Sequence, residues 1–326
     1  MRLRFDGFIV ALFLFILLAY LFPQLYQWRD GEILSGISTV GISLIFFFYG
    51  LKLNFRQMRE GLQNWRLHVL VQSSTFILFP LLVLAFYPLV HNEIHFDFWL
   101  SFFFLTTLPS TVSSSVVMVS IARGNIPAAI FNASISGLIG VIVTPLWMQF
   151  FLDVGEIDVL SDVYVGLVRE IVIPVILGML LQRYFGNWVI RYGKQLGSFD
   201  KLIILLIVYG SFAESFESGI FDQVGTTYIF FVFLLVVALF AVAYLIIYVL
   251  SKRVLRFNTP DQVTALFCGS KKSLTHGSVF SKFLFAHSSS AGLYFLPLML
   301  FHAFQILIVT IIAQHYANKA NPRIIT

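Results

Sequence analysis

Two adjacent lysines, Lys271 and Lys272, stand in the middle of an otherwise apolar stretch at 262–286. An ammonium group at the centre of a bilayer costs about 2.5–3.5 kcal/mol on insertion scales, so two neighbours at that depth need partners, water or a ligand. Helix C-terminal carbonyls could hold them, because the backbone dipole favours cations there. An anionic solute could pair with them instead. A desolvated lysine also releases its proton more easily, so proton coupling is physically available. The plain alternative is that one of them snorkels to an interface. Adjacent helical residues point about 100° apart, which makes that a poor account of both.

Other polar side chains share this setting. Ser270, Ser273 and His276 flank the lysines. Ser113, Ser114 and Ser115 close the run Leu108-Pro109-Ser110-Thr111-Val112 inside a second apolar stretch, 98–122. Gln72, Asn132, Ser136, Glu214 and Gln305 lie in four further stretches. Gln72 and Asn132 either coordinate an ion or join helices, a role worth about 0.6 kcal/mol on average. Glu214 is either a buried ionisable partner or a boundary acid. His276, His302 and Gln305 read first as packing and hydrogen-bonding residues. Arg169 and Glu170 are expected to neutralise each other.

The elements that must carry these residues are membrane helices. Of 326 residues, 59% are hydrophobic and only 11% charged, against about 25% charged in soluble domains. Apolar runs fall at 7–23, 33–51, 66–88, 98–122, 126–152, 163–185, 199–217, 226–250, 262–286 and 291–316. They are apolar all round, whereas membrane strands alternate in polarity over about ten residues. The first run lacks a small-residue cleavage site and is read as a retained span. With the N-terminus inside, sixteen of the 21 Lys and Arg residues fall in cytoplasmic loops and tails, against Arg29 alone outside. That asymmetry sets orientation, so ten spans with both termini cytoplasmic are expected.

Ten spans divide into two fives, 1–158 and 159–326, and an odd-numbered repeat must be inverted relative to its partner. The polar interruptions fall in the fourth and ninth spans, at matching places. Pro109 removes a backbone donor, Ser and Thr side chains can cap freed groups, and interrupted helices at corresponding positions point to a transporter's solute site. Gly137 and Gly140 suggest close helix packing. The single Cys268 excludes a disulfide framework and a multi-cysteine metal site. The sequence has no HExxH, GxSxG or P-loop pattern, which speaks against an enzyme or an ATP-driven pump. No cofactor or nucleic-acid partner is expected; the partners are a solute and the lipid bilayer, in a bacterial cytoplasmic membrane. The competing expectation is a regulatory membrane protein that does not transport.

Pro109 to Val116, Gly124-Asn125 with Ala128 to Asn132, Thr259-Pro260-Asp261 with Phe267 to Thr275, Tyr209 to Glu214, and Phe301 to Leu307 together resemble the bile acid:sodium symporter superfamily. The similarity is to its SBF-like branch and covers essentially the whole chain. The resemblance implies an all-α fold of two inverted five-helix repeats. Spans one, two, six and seven form a panel, the rest a core, and the broken fourth and ninth helices cross beside solute and sodium sites. A sodium ion would then lie near Ser114, Asn132 and Gln72. The chain departs from the sodium motif of the bile-acid carriers. Phe267 stands at the position resembling its Glu, and Lys271 and Lys272 at those resembling its Gln and Asn. These departures argue against the usual two-sodium arrangement. The expectation is that Lys271 or Lys272 replaces a bound cation or carries a coupling proton.

Overall fold

A computed structural model describes residues 7–25, 32–53, 63–152, 163–217, 225–286, 288 and 290–319. All regular structure among these is helical. In chain order the helices are α1 (Gly7–Leu21), α2 (Glu32–Lys52), α3 (Trp65–Ser73), α4 (Phe79–Leu84), α5 (Glu93–Thr107), α6 (Ser113–Ile121) and α7 (Ile126–Met148). They continue as α8 (Ile173–Arg191), α9 (Gly193–Glu217), α10 (Thr226–Val249), α11 (Thr259–Gly269), α12 (Leu274–Leu284) and α13 (Ala291–Lys319). Wider π turns at Ser74–Leu78 and Val168–Val172 lead into α4 and α8, and a third, Leu250–Val254, follows α10.

Six helical stretches among the described residues are long and apolar enough to cross a membrane: Trp65–Leu89, Ile126–Met148, Val163–Arg191, Gly193–Glu217, Thr227–Val254 and Ala291–Asn318. The expected fourth and ninth spans fall outside that set because each is two shorter helices, α5 with α6 and α11 with α12. Many large apolar side chains are exposed, among them Phe13 and Leu14 of α1, Leu180 of α8 and Phe230 of α10. The buried set includes Lys271, Lys272, Gln305, Asn132 and many Ser and Thr. Apolar surface outside and polar groups inside is the distribution a hydrocarbon solvent selects.

The chain separates into two compact units. Unit 1 holds residues 1–54, 152–228 and 277–296; unit 2 holds 55–151, 229–276 and 297–326. Unit 1 thus takes the first, second, sixth and seventh apolar runs. It also takes 277–296, which the resemblance assigned to the other group. The boundary falls within α12.

Unit 1 is held by a tight crossing of α2 and α8. A Cβ on Gly50 would collide with the carbonyl of Val175, and one on Gly178 with the carbonyl of Phe47. Without hydrophobic drive between lipid-immersed helices, such small-residue approaches supply the packing energy. A Gly178→Val protein is expected to lose about 1–3 kcal/mol through overpacking. It should therefore melt below the parent in detergent; equal melting would remove the crossing as a stabilising contact.

In unit 2, helix starts are written by asparagine. The side chains of Asn64, Asn92, Asn125 and Asn258 accept from backbone N–H groups in the first turns of α3, α5, α7 and α11. Such caps are each worth about 1 kcal/mol. Asp261, in the first turn of α11, joins three of these starts. It accepts from Asn64 Nδ2 at 2.7 Å and from Asn125 Nδ2 at 2.8 Å. Its own N–H donates to Asn258 Oδ1 at 2.8 Å.

Candidate functional site

The site is assembled from two breaks in unit 2. α5 stops at Thr107 because Pro109 disfavours helical geometry in the residue before it, and Leu108 is extended. Gly140 of α7 admits the Pro109 ring, which would contact any Cβ there at 2.8 Å. Several hydrogen bonds join the breaks, three of them made by serines. Ser110 Oγ donates to the Cys268 carbonyl at 2.5 Å, Ser115 Oγ to the Phe267 carbonyl at 3.2 Å, and the Ser273 N–H to the Pro109 carbonyl at 2.9 Å. Each segment supplies partners for the peptide groups that the other leaves open.

Lys272 sits at this junction, fully buried. Its Nζ donates to the carbonyls of Thr75 at 2.7 Å, Thr106 at 2.5 Å and Leu108 at 2.9 Å. All three donor positions are filled. The Phe79 ring lies 4.4 Å from the ammonium, in cation–π range. Two of the carbonyls come from the end of α5, and the third from the π turn, whose wider winding leaves carbonyls for side chains. The neighbouring Phe76 carbonyl likewise accepts from Trp147 Nε1 at 2.9 Å. The backbone of Lys272 is held as well: its N–H donates to Gln305 Oε1 at 2.8 Å, and its carbonyl accepts from Gln305 Nε2 at 2.7 Å. One side-chain amide replaces the two helical bonds lost at the break. A Gln305→Leu protein leaves both groups buried and unpaired at about 1–3 kcal/mol each. Its melting temperature should fall clearly below the parent's; an unchanged value would mean the break carries its own support.

Lys271 is equally buried but held differently. Its Nζ makes one hydrogen bond among the described residues, to Ser114 Oγ at 2.8 Å. From there a chain of hydroxyls runs along the break: Ser114 Oγ donates to Thr111 Oγ1 at 2.9 Å, and Thr111 pairs with Ser115 at 2.8 Å. The neighbouring lysines therefore differ in kind. Among the described residues, Lys272 is saturated by backbone, whereas Lys271 makes a single hydrogen bond, to a hydroxyl.

The other expected residues find plainer roles. Gln72 Nε2 donates to the carbonyl and Oδ1 of Asn132, at 3.1 and 3.2 Å, and Asn132 Nδ2 donates to the Ala128 carbonyl. This pair joins α3 to α7. Ser136 Oγ accepts from the Ser110 N–H at 3.0 Å and supports the proline break. Ser270 Oγ donates to the Leu266 carbonyl at the end of α11, and Ser273 Oγ bonds His276 Nδ1 at 2.9 Å. The Ser113 side chain lies outside the described ones. Glu214 belongs to unit 1 and lines a cavity there. Of the oxygens expected around sodium, Ser114 Oγ accepts from Lys271 and Asn132 Oδ1 from Gln72. Glu170 pairs with Lys282 at 3.4 Å, a long-range partner added to the electrostatic influence of its neighbour Arg169. The carbonyls of Thr75, Thr106 and Leu108 were missed, since backbone acceptors leave no mark in a sequence.

A buried polar junction between broken apolar helices defines an integral membrane transporter rather than an enzyme, and the comparisons agree. A family model, the SBF-like CPA transporter family, matches residues 6–318; the chain belongs to that family. It is 33% identical to the putative symporter YfeH of Escherichia coli over 314 residues, covering 96% of this chain and 93% of the relative. It is 38% identical over 315 residues to an uncharacterized Pseudomonas aeruginosa protein, with the same two coverages. Sodium/bile acid cotransporter 7 of Xenopus tropicalis is 29% identical over 319 residues, covering 95% and 91%.

Proposed function

We propose that the protein is a secondary active transporter that moves a small organic anion across a bacterial cytoplasmic membrane by alternating access. In this reading the chain crosses ten times, as two inverted five-helix repeats with both termini in the cytoplasm. The paired-break geometry supports it: two helices broken in mid-span bring Lys271, with donor capacity to spare, next to a lysine that is fully committed. Lys272 takes the place of a coupling cation, its ammonium filling an oxygen cradle of the type a desolvated metal ion would use. Lys271 is the group that meets the solute's carboxylate or equivalent acid, assisted by the hydroxyls of Ser114 and Thr111, and its proton is the one available for coupling. A second cation at the cradle would repel Lys272, so coupling by protons follows more naturally than coupling by sodium.

The test is flux in proteoliposomes containing the purified chain. Uptake of labelled organic anions should saturate, and should respond to an imposed pH gradient with sodium absent on both sides. Uptake that requires a sodium gradient and ignores pH would replace protons by sodium as the coupling ion. Absence of gradient-dependent flux across a broad panel of anions would favour a non-transporting, regulatory role.

A further inference from the structure

A groove of about 570 Å³ runs between α10 and α13 in unit 2, and its wall contains neither Lys271 nor Lys272. Val237, Ala241 and Tyr248 mark its course along α10, and Phe304 and Ile308 face them from α13. The buried Phe240 ring meets that of Phe304 edge-on at 5.5 Å and joins the two walls. The wall is almost wholly apolar, and the volume lies within the range of about 300–1,000 Å³ that organic ligands occupy. Length and charge say what fills it.

From Val237 to Tyr248 the groove follows α10 for about 16 Å. One leaflet of a hydrocarbon core about 30 Å thick has nearly that depth. The groove takes the second half of α10, which begins at Thr226 in an apolar stretch that ends at Val254. Bases crowd that end. Lys252 Nζ donates to the hydroxyl of Tyr248, the groove's last residue on α10, at 2.6 Å. Its charge also acts on Tyr316 of α13. The exposed ammonium thus stands at the mouth of the groove, beside a neutral hydroxyl, and Arg253 and Arg256 follow it, both exposed. Residues 229–260 and 291–319 contain no Asp or Glu, and Asp261 is the next acid along the chain from these three bases. A symmetric dimer through this face would set the same bases against each other, which like charge disfavours. An apolar slot of leaflet depth with cations at one end matches the two parts of an anionic phospholipid, and Lys and Arg at a membrane surface attract such headgroups.

We propose that the groove holds one acyl chain of an anionic phospholipid of the surrounding bilayer, with its phosphate on Lys252 and Arg253. The site is independent of the transport reading of the lysines and requires only that the chain lies in a membrane.

The experiment uses the full-length protein, delipidated in a non-ionic detergent, with palmitoyl-oleoyl phosphatidylglycerol as probe. Phosphatidylcholine with the same chains and inorganic phosphate are the comparators. Thermal unfolding reads stabilisation, since a ligand that binds only the folded state raises its melting temperature, and native mass spectrometry counts the lipids retained. Phosphatidylglycerol should give a saturable rise and an adduct of one lipid per chain. Phosphatidylcholine should bind at least fivefold more weakly, and phosphate should give no rise. The double variant Lys252→Gln/Arg253→Gln should bring phosphatidylglycerol down to the level of phosphatidylcholine. Ala241→Trp, which fills the slot from an exposed position, should remove the adduct, and Ala241→Leu decides the matter should the tryptophan variant fold poorly. Arg191→Gln, at an exposed base of unit 1, should leave binding unchanged. The proposal is overturned by equal binding of the two lipids, by an equal rise with phosphate, by binding that survives in the variants of either kind, or by a matching loss in Arg191→Gln. A dimer that replaces the lipid adduct and disappears in Ala241→Trp would assign the groove to a second copy of the chain and overturn it too.

Discussion

Replacing Lys272 by alanine should lower the melting temperature by on the order of 10 °C, and sodium should then restore part of the loss. The wild-type ammonium satisfies the carbonyls of Thr75, Thr106 and Leu108. Hydrogen bonds to a charged group are worth about 1.5–3 kcal/mol each, and removing one side of a buried charged arrangement typically costs about 3–5 kcal/mol. Alanine also leaves a space bounded by three carbonyl oxygens, the hard ligands that alkali cations use. A sodium-specific stabilisation, absent from the wild type, should therefore emerge in Lys272→Ala. Lys272→Met is the control: it refills much of the space without supplying a donor, so it should be destabilised and deaf to sodium. The measurement is thermal unfolding in sodium against potassium at fixed ionic strength. If Lys272→Ala melts like the wild type, or shifts equally in both salts, the cradle is not a cation site.

The neighbouring lysine should behave in the opposite way. Among the described residues, buried Lys271 makes a single hydrogen bond, to Ser114, so its amine is a net cost in the resting protein. Lys271→Met should melt at or above the wild-type temperature. If Lys271 meets the solute, the same substitution should reduce gradient-driven flux by about a hundredfold, corresponding to roughly 2.7 kcal/mol of lost interaction. Measuring both on one preparation separates the two roles. Loss of folding in Lys271→Met would make the pair structural, and retained flux would move the solute site elsewhere. Adjacent residues of identical type would then differ in the sign of their stability effect, for reasons visible only in their partners.

The sequence alone determined that the chain is a helical membrane protein, because 11% charged residues cannot cover a water-facing surface and the apolar runs have helical length. It also placed both helix interruptions. Pro109 made the first explicit, and Lys271 with Lys272 marked the second, since paired charge at membrane depth demands an unusual environment. Gln305 was noticed for its polarity, yet its bidentate hold on the Lys272 peptide was not legible. That role depends on a contact across 33 positions.

Only the tertiary structure separated the two lysines. Their sequence neighbourhood is the same, and what distinguishes them is which carbonyls lie within reach. Two of those come from the last turn of α5 and the residue just beyond it, more than 160 positions away, and one from a π turn that no residue pattern announces. The same limit applied to Glu170. The sequence offered Arg169 beside it, but adjacent helical residues diverge by about 100°. Arg169 acts on it electrostatically, and the contact within salt-bridge distance comes from Lys282 across 112 positions. Local pattern fixes polarity, winding and termini, because these depend on near neighbours. Which partners a buried charge finds is a property of long-range packing, and in this protein it separates two adjacent lysines of identical type.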